Sequence, residues 1–315
     1  MAITRKMRTA AALGSALALS VSGCGGDDSG GGGGGGGGED ASLDGAELTV
    51  GAKEFTESKV LAQITAQALE NAGATVDDSS LSGSATVREA LEAGEIDMYW
   101  EYTGTGWVNI LGNDTTDVPD DLFAAVAEAD AANEIAWLEA APMNDTYAIA
   151  VQSAFAEEND LTTMSDAAAY IQENPDEATI CAASEFLNRD DGLPGLQTTY
   201  EIEFSEVVEL DLGLIYTQVG DTCNFGEVFS TDGRILANEL TVLEDDLEFF
   251  VPYNAALTLR QETLDEFPAI EEIMGPISEA LTNEEITALN AAVDVDGETE
   301  EDVATQWLED NGFLG

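Results

Sequence analysis

The chain has 315 residues, with 64 Asp and Glu against 9 Lys and Arg, no His and 3 Cys, for a formal charge of −55. The length allows about two domains, and a hydrophobic fraction of 44% supplies ordinary buried cores. So few bases exclude nucleic-acid binding and docking to anionic lipid, because both need Lys and Arg. The lack of His removes His-based triads and His metal ligands.

The first 23 residues carry Arg5, Lys6 and Arg8 and no acid, and an apolar run extends from Ala10 to Val21. This is the pattern of a secretory signal peptide, too short for a membrane span. Val21-Ser22-Gly23-Cys24 resembles a bacterial lipobox, which implies that Cys24 is the lipidated first residue of the mature chain. Residues 24–46 read as a lipid-anchored linker, in which the unbroken run Gly30–Gly38 is flexible coil. The expected location is the extracytoplasmic face of the cell membrane. All 64 acids follow Cys24, against six bases there, a formal −58. Scattered over helical segments, they read as a solvated surface suited to saline media, where the screening length is about 3 Å at 1 M salt. Asp294-Val295-Asp296-Gly297 starts like a calcium loop but lacks the rest of that spacing. No metal site and no cofactor is expected.

The body opens on a short buried strand, Leu48–Gly51. A helix starting at Thr56 or Glu57 buries Val60, Leu61, Ile64, Ala68 and Leu69 and stops at Gly73. A strand near 75–81, a helix near 86–93 and a strand at 96–100 follow, an alternation that predicts a parallel sheet with right-handed crossovers. A second block starts with a strand near 148–152. It continues with a helix near 164–173, a strand near 179–182, a helix near 195–200 and a strand near 226–229. The remainder is helical, at about 262–267, 269–280, 283–293 and 301–311. Two α/β units imply two lobes with a cleft between them, and ligands in such folds sit beyond the carboxyl ends of the strands.

The candidate binding residues occupy those strand ends. Lys53, one of only three Lys in the chain, lies in the loop before the first long helix. Free N–H groups and the helix dipole there favour an anion. Glu101-Tyr102-Thr103-Gly104-Thr105-Gly106 follows the third strand, and its glycines allow close approach and a sharp turn. It lacks the Gly-Lys-Ser/Thr ending of a phosphate loop. Asn144-Asp145-Thr146-Tyr147 lies at the join of the two units. Asn188 to Gly195 is a turn leading into a helix, and Phe229-Ser230-Thr231-Asp232-Gly233-Arg234 follows a short strand. Val251-Pro252-Tyr253 sits where the chain returns to the first unit.

Four of these motifs together resemble the glycine betaine/carnitine/choline-binding proteins of osmoprotectant ABC transporters. They are Gly51–Glu57, Glu101–Gly106, Ser184–Gly195 and Ser230–Ile235, and the resemblance runs from about Leu48 to Gly315. It implies a two-lobed periplasmic-binding-protein fold of type II, with lobe one at 48–147 plus 253–315 and lobe two at 148–252. It also implies an aromatic box for a quaternary ammonium head at Tyr102, Tyr147, Phe229 and Tyr253, with Asp145 as an acid near the cation. A ligand carboxylate would be held by Lys53, Thr105 and Arg189. The position matching Phe229 is often Tyr in that family, so a hydroxyl is lost, and Tyr216 is a secondary candidate to replace it. A trimethylammonium group has no N–H to donate, and its charge is best met by ring faces, each worth about 0.5–2 kcal/mol when desolvated.

After Cys24, Cys181 and Cys223 remain, 42 residues apart. Export permits a disulfide between them, and two buried thiols are the alternative. The resulting expectation is a monomeric, non-enzymatic solute-binding lipoprotein that passes a quaternary-ammonium solute to a membrane permease. A sensory lipoprotein and a choline-specific binder are the alternatives.

Overall fold

The computed structural model describes residues 42–314. The signal peptide, Cys24 and the glycine run expected from the sequence lie outside the described residues.

Among the described residues, ten strands form two five-stranded sheets. The strands are β1 (Glu47–Ala52), β2 (Thr75–Ser80), β3 (Met98–Tyr102), β4 (Ile135–Trp137), β5 (Tyr147–Gln152), β6 (Thr179–Ala182), β7 (Glu206–Glu209), β8 (Phe225–Phe229), β9 (Leu240–Val242) and β10 (Ala255–Arg260). The first sheet runs β2-β1-β3-β10-β4 and the second β7-β6-β8-β5-β9. Each has the same plan. Three strands are parallel, joined by helical crossovers, and a fourth enters antiparallel beside them, β10 in the first sheet and β5 in the second. The expected parallel sheet is therefore only part of the first sheet: β10 lies antiparallel between β3 and β4. This is the two-lobed α/β architecture, with the cleft where the carboxyl ends of the parallel strands face each other.

The helix Thr56–Asn71 buries Val60, Leu61, Ile64, Ala68 and Leu69, as its spacing requires. Thr65 is buried too, against Trp100 of β3, and the C-terminal helices Asn283–Asp294 and Glu300–Asp310 pack on the same helix. Trp100 Nε1 donates to Thr65 Oγ1 at 2.8 Å, so that hydroxyl is satisfied inside the core.

The chain passes between the sheets twice, after β4 and again before β10. The two passages lie side by side. Asn144 and Asn254 bridge antiparallel, the Asp145 N–H donates to the Tyr253 carbonyl at 3.1 Å, and Tyr253 N–H donates to Asn144 Oδ1 at 2.6 Å. In the second sheet a disulfide joins Cys181 on β6 to Cys223 ahead of β8, with Cα atoms 5.6 Å apart. No helix among the described residues is long and apolar enough to cross a membrane.

Candidate functional site

A cavity of about 830 Å³ lies at the strand ends, lined from both sheets. Lys53, Tyr102, Thr105, Asp145, Tyr147, Arg189, Phe229 and Tyr253 all line it. Strand register explains how these distant residues meet. Tyr147 and Phe229 are direct partners across β5 and β8, which sets their rings 5.1 Å apart at 44°. Tyr253 precedes β10 and stands edge-on to Tyr147, 5.5 Å away at 87°. Phe55, half-buried beside Lys53, connects Phe229 (5.2 Å) to Tyr102 (6.1 Å) and so continues the aromatic wall. Sequence reasoning placed Phe55 in the right loop without assigning it to the wall. Burial raises the Tyr102, Tyr147 and Tyr253 phenols well above their ordinary value, so all three are neutral rings.

The glycines of the Glu101–Gly106 segment supply the close approach expected of them but not the sharp turn. The segment continues into a π-helical turn, Thr105–Ile110, with Gly104 at φ −62°, so no left-handed turn is made. What they supply is room. A Cβ on Gly104 would stand 2.5 Å from the Tyr253 ring, and one on Gly106 2.8 Å from the Trp137 indole. Gly104 thus lets Tyr253 lie against the end of β3.

Tyr216 does not reach the cavity. It is fully buried behind β8, where its hydroxyl accepts the Phe229 N–H at 3.1 Å and its ring lies under the Arg234 guanidinium at 4.4 Å. It lies on the helix Leu212–Gln218, which packs on β8 and lines the cavity through Leu212, Gly213 and Leu214 but not through Tyr216. It supports the strand that carries Phe229 and does not restore a hydroxyl to the aromatic wall.

The bases that line the cavity stand over its rings, Lys53 Nζ 5.2 Å from the Tyr102 ring centre and Arg189 5.5 Å from that of Tyr147, and they come with acids attached. Lys53 Nζ is 2.5 Å from Glu101 Oε1, and that acid is wholly buried. Arg189 makes a two-pronged pair with Asp191, from Nε at 2.7 Å and Nη2 at 2.5 Å. It also donates from Nη1 to Glu185 at 2.8 Å and from Nη2 to Thr105 Oγ1 at 3.3 Å. An unpaired charge this deeply buried would cost several kcal/mol, which explains the partners. Donors remain: an ammonium has three N–H and a guanidinium five. Thr105, accepting from Arg189, keeps its own hydrogen to donate. Burial opposes ionisation of Glu185, but Lys53 and Arg189 outweigh it and hold its carboxyl below the usual range.

A second polar cluster, unforeseen apart from Asp145, lies behind the aromatic wall. Glu57 is 2% exposed and Asp145 5%. Tyr102 donates to Glu57 Oε1 at 2.8 Å and Asn290 to Glu57 Oε2 at 2.9 Å. Thr231 Oγ1 stands 2.6 Å from both Glu57 Oε2 and Asp145 Oδ1. Asn290 carried a sequence signal: it shares a buried helix face with Ile286 and Leu289, where a polar residue must find a partner. The chemistry available is therefore an aromatic surface with buried carboxylates behind it and N–H and O–H donors beside its rings.

Residues 46–310 match the family described as the substrate-binding domain of ABC-type glycine betaine transport systems. The chain is 34% identical to a glycine-betaine-binding protein of Pseudomonas aeruginosa, over 87% of this chain and 91% of that one. It is 31% identical to the glycine betaine-binding protein YehZ of Escherichia coli, over 84% and 90%. The solved structure of apo YehZ from Escherichia coli superposes with a TM-score of 0.63 at 29% identity, covering 85% of this chain and 99% of that one. The periplasmic solute-binding fold is thus shared along nearly the whole body, and the chain belongs to the family of substrate-binding domains of ABC-type glycine betaine transport systems.

Proposed function

We propose that this protein captures glycine betaine, or a closely related carboxylated quaternary ammonium solute, outside the cytoplasm and delivers it to an ABC permease. Lobe one is 48–147 plus 253–315 and lobe two is 148–252, with the ligand closing them together. The observation that carries this reading is the contiguous aromatic wall of Tyr102, Phe55, Phe229, Tyr147 and Tyr253 lining one cavity with the donors of Lys53, Thr105 and Arg189. The rings and Asp145 take the cation, and the donors take the carboxylate. Thr105 and Arg189 come from different lobes, so a carboxylate held by both favours the closed form over the open one. The protein is exported and anchored through a lipid on Cys24. As a carrier it performs no chemistry on its ligand.

Titration calorimetry with glycine betaine, proline betaine, carnitine and choline tests this. The carboxylated ligands bind tightest, and choline, with a hydroxyl in place of a carboxylate, binds more weakly. Choline binding more tightly than every carboxylated ligand would remove the carboxylate end. Binding of none of the four would overturn the reading.

A further inference from the structure

Thr231 Oγ1 lies 2.6 Å from Glu57 Oε2 and 2.6 Å from Asp145 Oδ1. A hydroxyl has one hydrogen. It can donate to one of these oxygens, and at 2.6 Å the other contact requires a proton on the carboxyl itself. The remaining donors say where that proton is. Glu57 also receives the Tyr102 O–H and the Asn290 N–H, each with its own hydrogen. Asp145 receives only the Thr231 backbone N–H, at 3.3 Å. Glu57 is therefore the anion and Asp145 the acid: Asp145 donates to Thr231, and Thr231 donates to Glu57.

Every nearby base is already engaged. Lys53, from the loop before the first helix, is held by Glu101 of β3. Arg234, beyond β8, is held by Asp232 and by Asp294 of the helix Asn283–Asp294. Arg189, across the Tyr147 ring, is held by Asp191 and Glu185. Tyr102 of β3 and Tyr147 of β5 are neutral phenols. No base is left to neutralise a second charge on the pair, and Asp145 lines the cavity beside Tyr147 and Phe229. A cation seated there is the counter-charge that makes ionisation of Asp145 favourable.

We propose that Glu57 and Asp145 together hold one proton in the ligand-free cleft and lose it to solvent when a quaternary ammonium seats against Asp145. This rests on the reading of the cavity as a quaternary-ammonium site. The Asp145 O–H bond breaks, its electron pair stays on the carboxylate, and the proton leaves through the cavity to water. The pair thereby sets specificity: a permanent cation drives the ionisation, and a neutral carbon isostere of the same shape does not. Burial and the charge on Glu57 hold the Asp145 carboxyl well above its ordinary range, and burial raises Glu57 as well, against the donors Thr231, Asn290 and Tyr102.

Titration calorimetry of glycine betaine into the full chain, in two buffers of different ionisation heat, counts the protons released. A large fraction of one proton is expected near neutral pH. Affinity should rise with pH by up to about tenfold per unit while Asp145 titrates, and level off above that. Asp145→Asn should abolish the release. In Glu57→Gln, Asp145 no longer faces a buried negative charge and ionises more readily, so the release at neutral pH should fall. That second variant gives a proton count even if Asp145→Asn does not fold. Glycine betaine binding with no buffer dependence, and constant affinity from about pH 5 to pH 9, would overturn the shared proton and leave the site assignment standing. Absence of glycine betaine binding at any pH would overturn both.

Discussion

Glu227 shows how burial sets the charge of single residues around the cleft. It is 1% exposed on β8, lines the cavity, and accepts the Ala183 N–H at 2.6 Å. Burial pushes its carboxyl from the ordinary 4.5 up to about 8, with Glu185 adding to the effect. The folded protein therefore holds a proton on Glu227 that the unfolded chain has already lost. The stability this contributes is complete below pH 4.5 and is lost as pH rises to about 8. Gln at this position keeps an acceptor for Ala183 and never ionises. Glu227→Gln should thus raise the melting temperature relative to the native protein by a margin that widens between those pH values. The matching difference in unfolding free energy should reach up to about 5 kcal/mol above them. Thermal melts across that range check it, and a margin independent of pH would contradict it. Glu227 itself was not legible in the sequence, because among 64 acids nothing local marks one that faces a cleft. The bases were legible for the opposite reason: in a chain this acidic few survive, and five of the six among the described residues have a specific acidic partner. Lys53, Arg88, Arg189, Arg234 and Arg260 all form ion pairs.

At the scale of elements, the segment after β8 docks on the helix Asn283–Asp294. Asn290 donates to the Thr231 carbonyl at 3.1 Å, and Arg234 lies 3.3 Å from Asp294. Gly233 makes this approach possible. A Cβ there would stand 2.6 Å from Ala291 Cβ and 2.7 Å from Ala291 Cα, and helix backbone cannot yield. Gly233→Ala should hold the two lobes apart at this contact. It should weaken glycine betaine and choline by the same factor, about tenfold from the 1–3 kcal/mol of overpacking. Parallel titrations check it, and a loss confined to one ligand would contradict it. This docking was invisible in the sequence, since it joins residues about 60 positions apart through no local pattern. The helix Thr56–Asn71 was legible, because its apolar spacing is a local signal. Strand β10 was missed for the converse reason: six residues, buried on both faces, give no period, and only pairing with β3 and β4 makes them a strand.

For the whole molecule, the charge after Cys24 is a formal −58. The ion pairs above fix local structure but leave most acids facing solvent and one another. Self-repulsion of this kind opposes compaction and is relieved by screening. The melting temperature should rise steadily from low salt to molar NaCl, and a flat or falling trend would contradict the surface reading. The proposed closure of the cleft takes place under that repulsion, so binding measurements belong at high salt. The central claim is that one cavity holds a cation on its rings and a carboxylate on its donors. Its most direct test is titration of glycine betaine and choline into Tyr147→Ala in molar NaCl. Tyr147 touches Phe229 and Tyr253 and is the shared member of the wall. Both ligands carry the same cation, so both should weaken by a similar factor, roughly tenfold or more from the loss of a desolvated ring face. Undiminished glycine betaine binding to Tyr147→Ala would contradict the account.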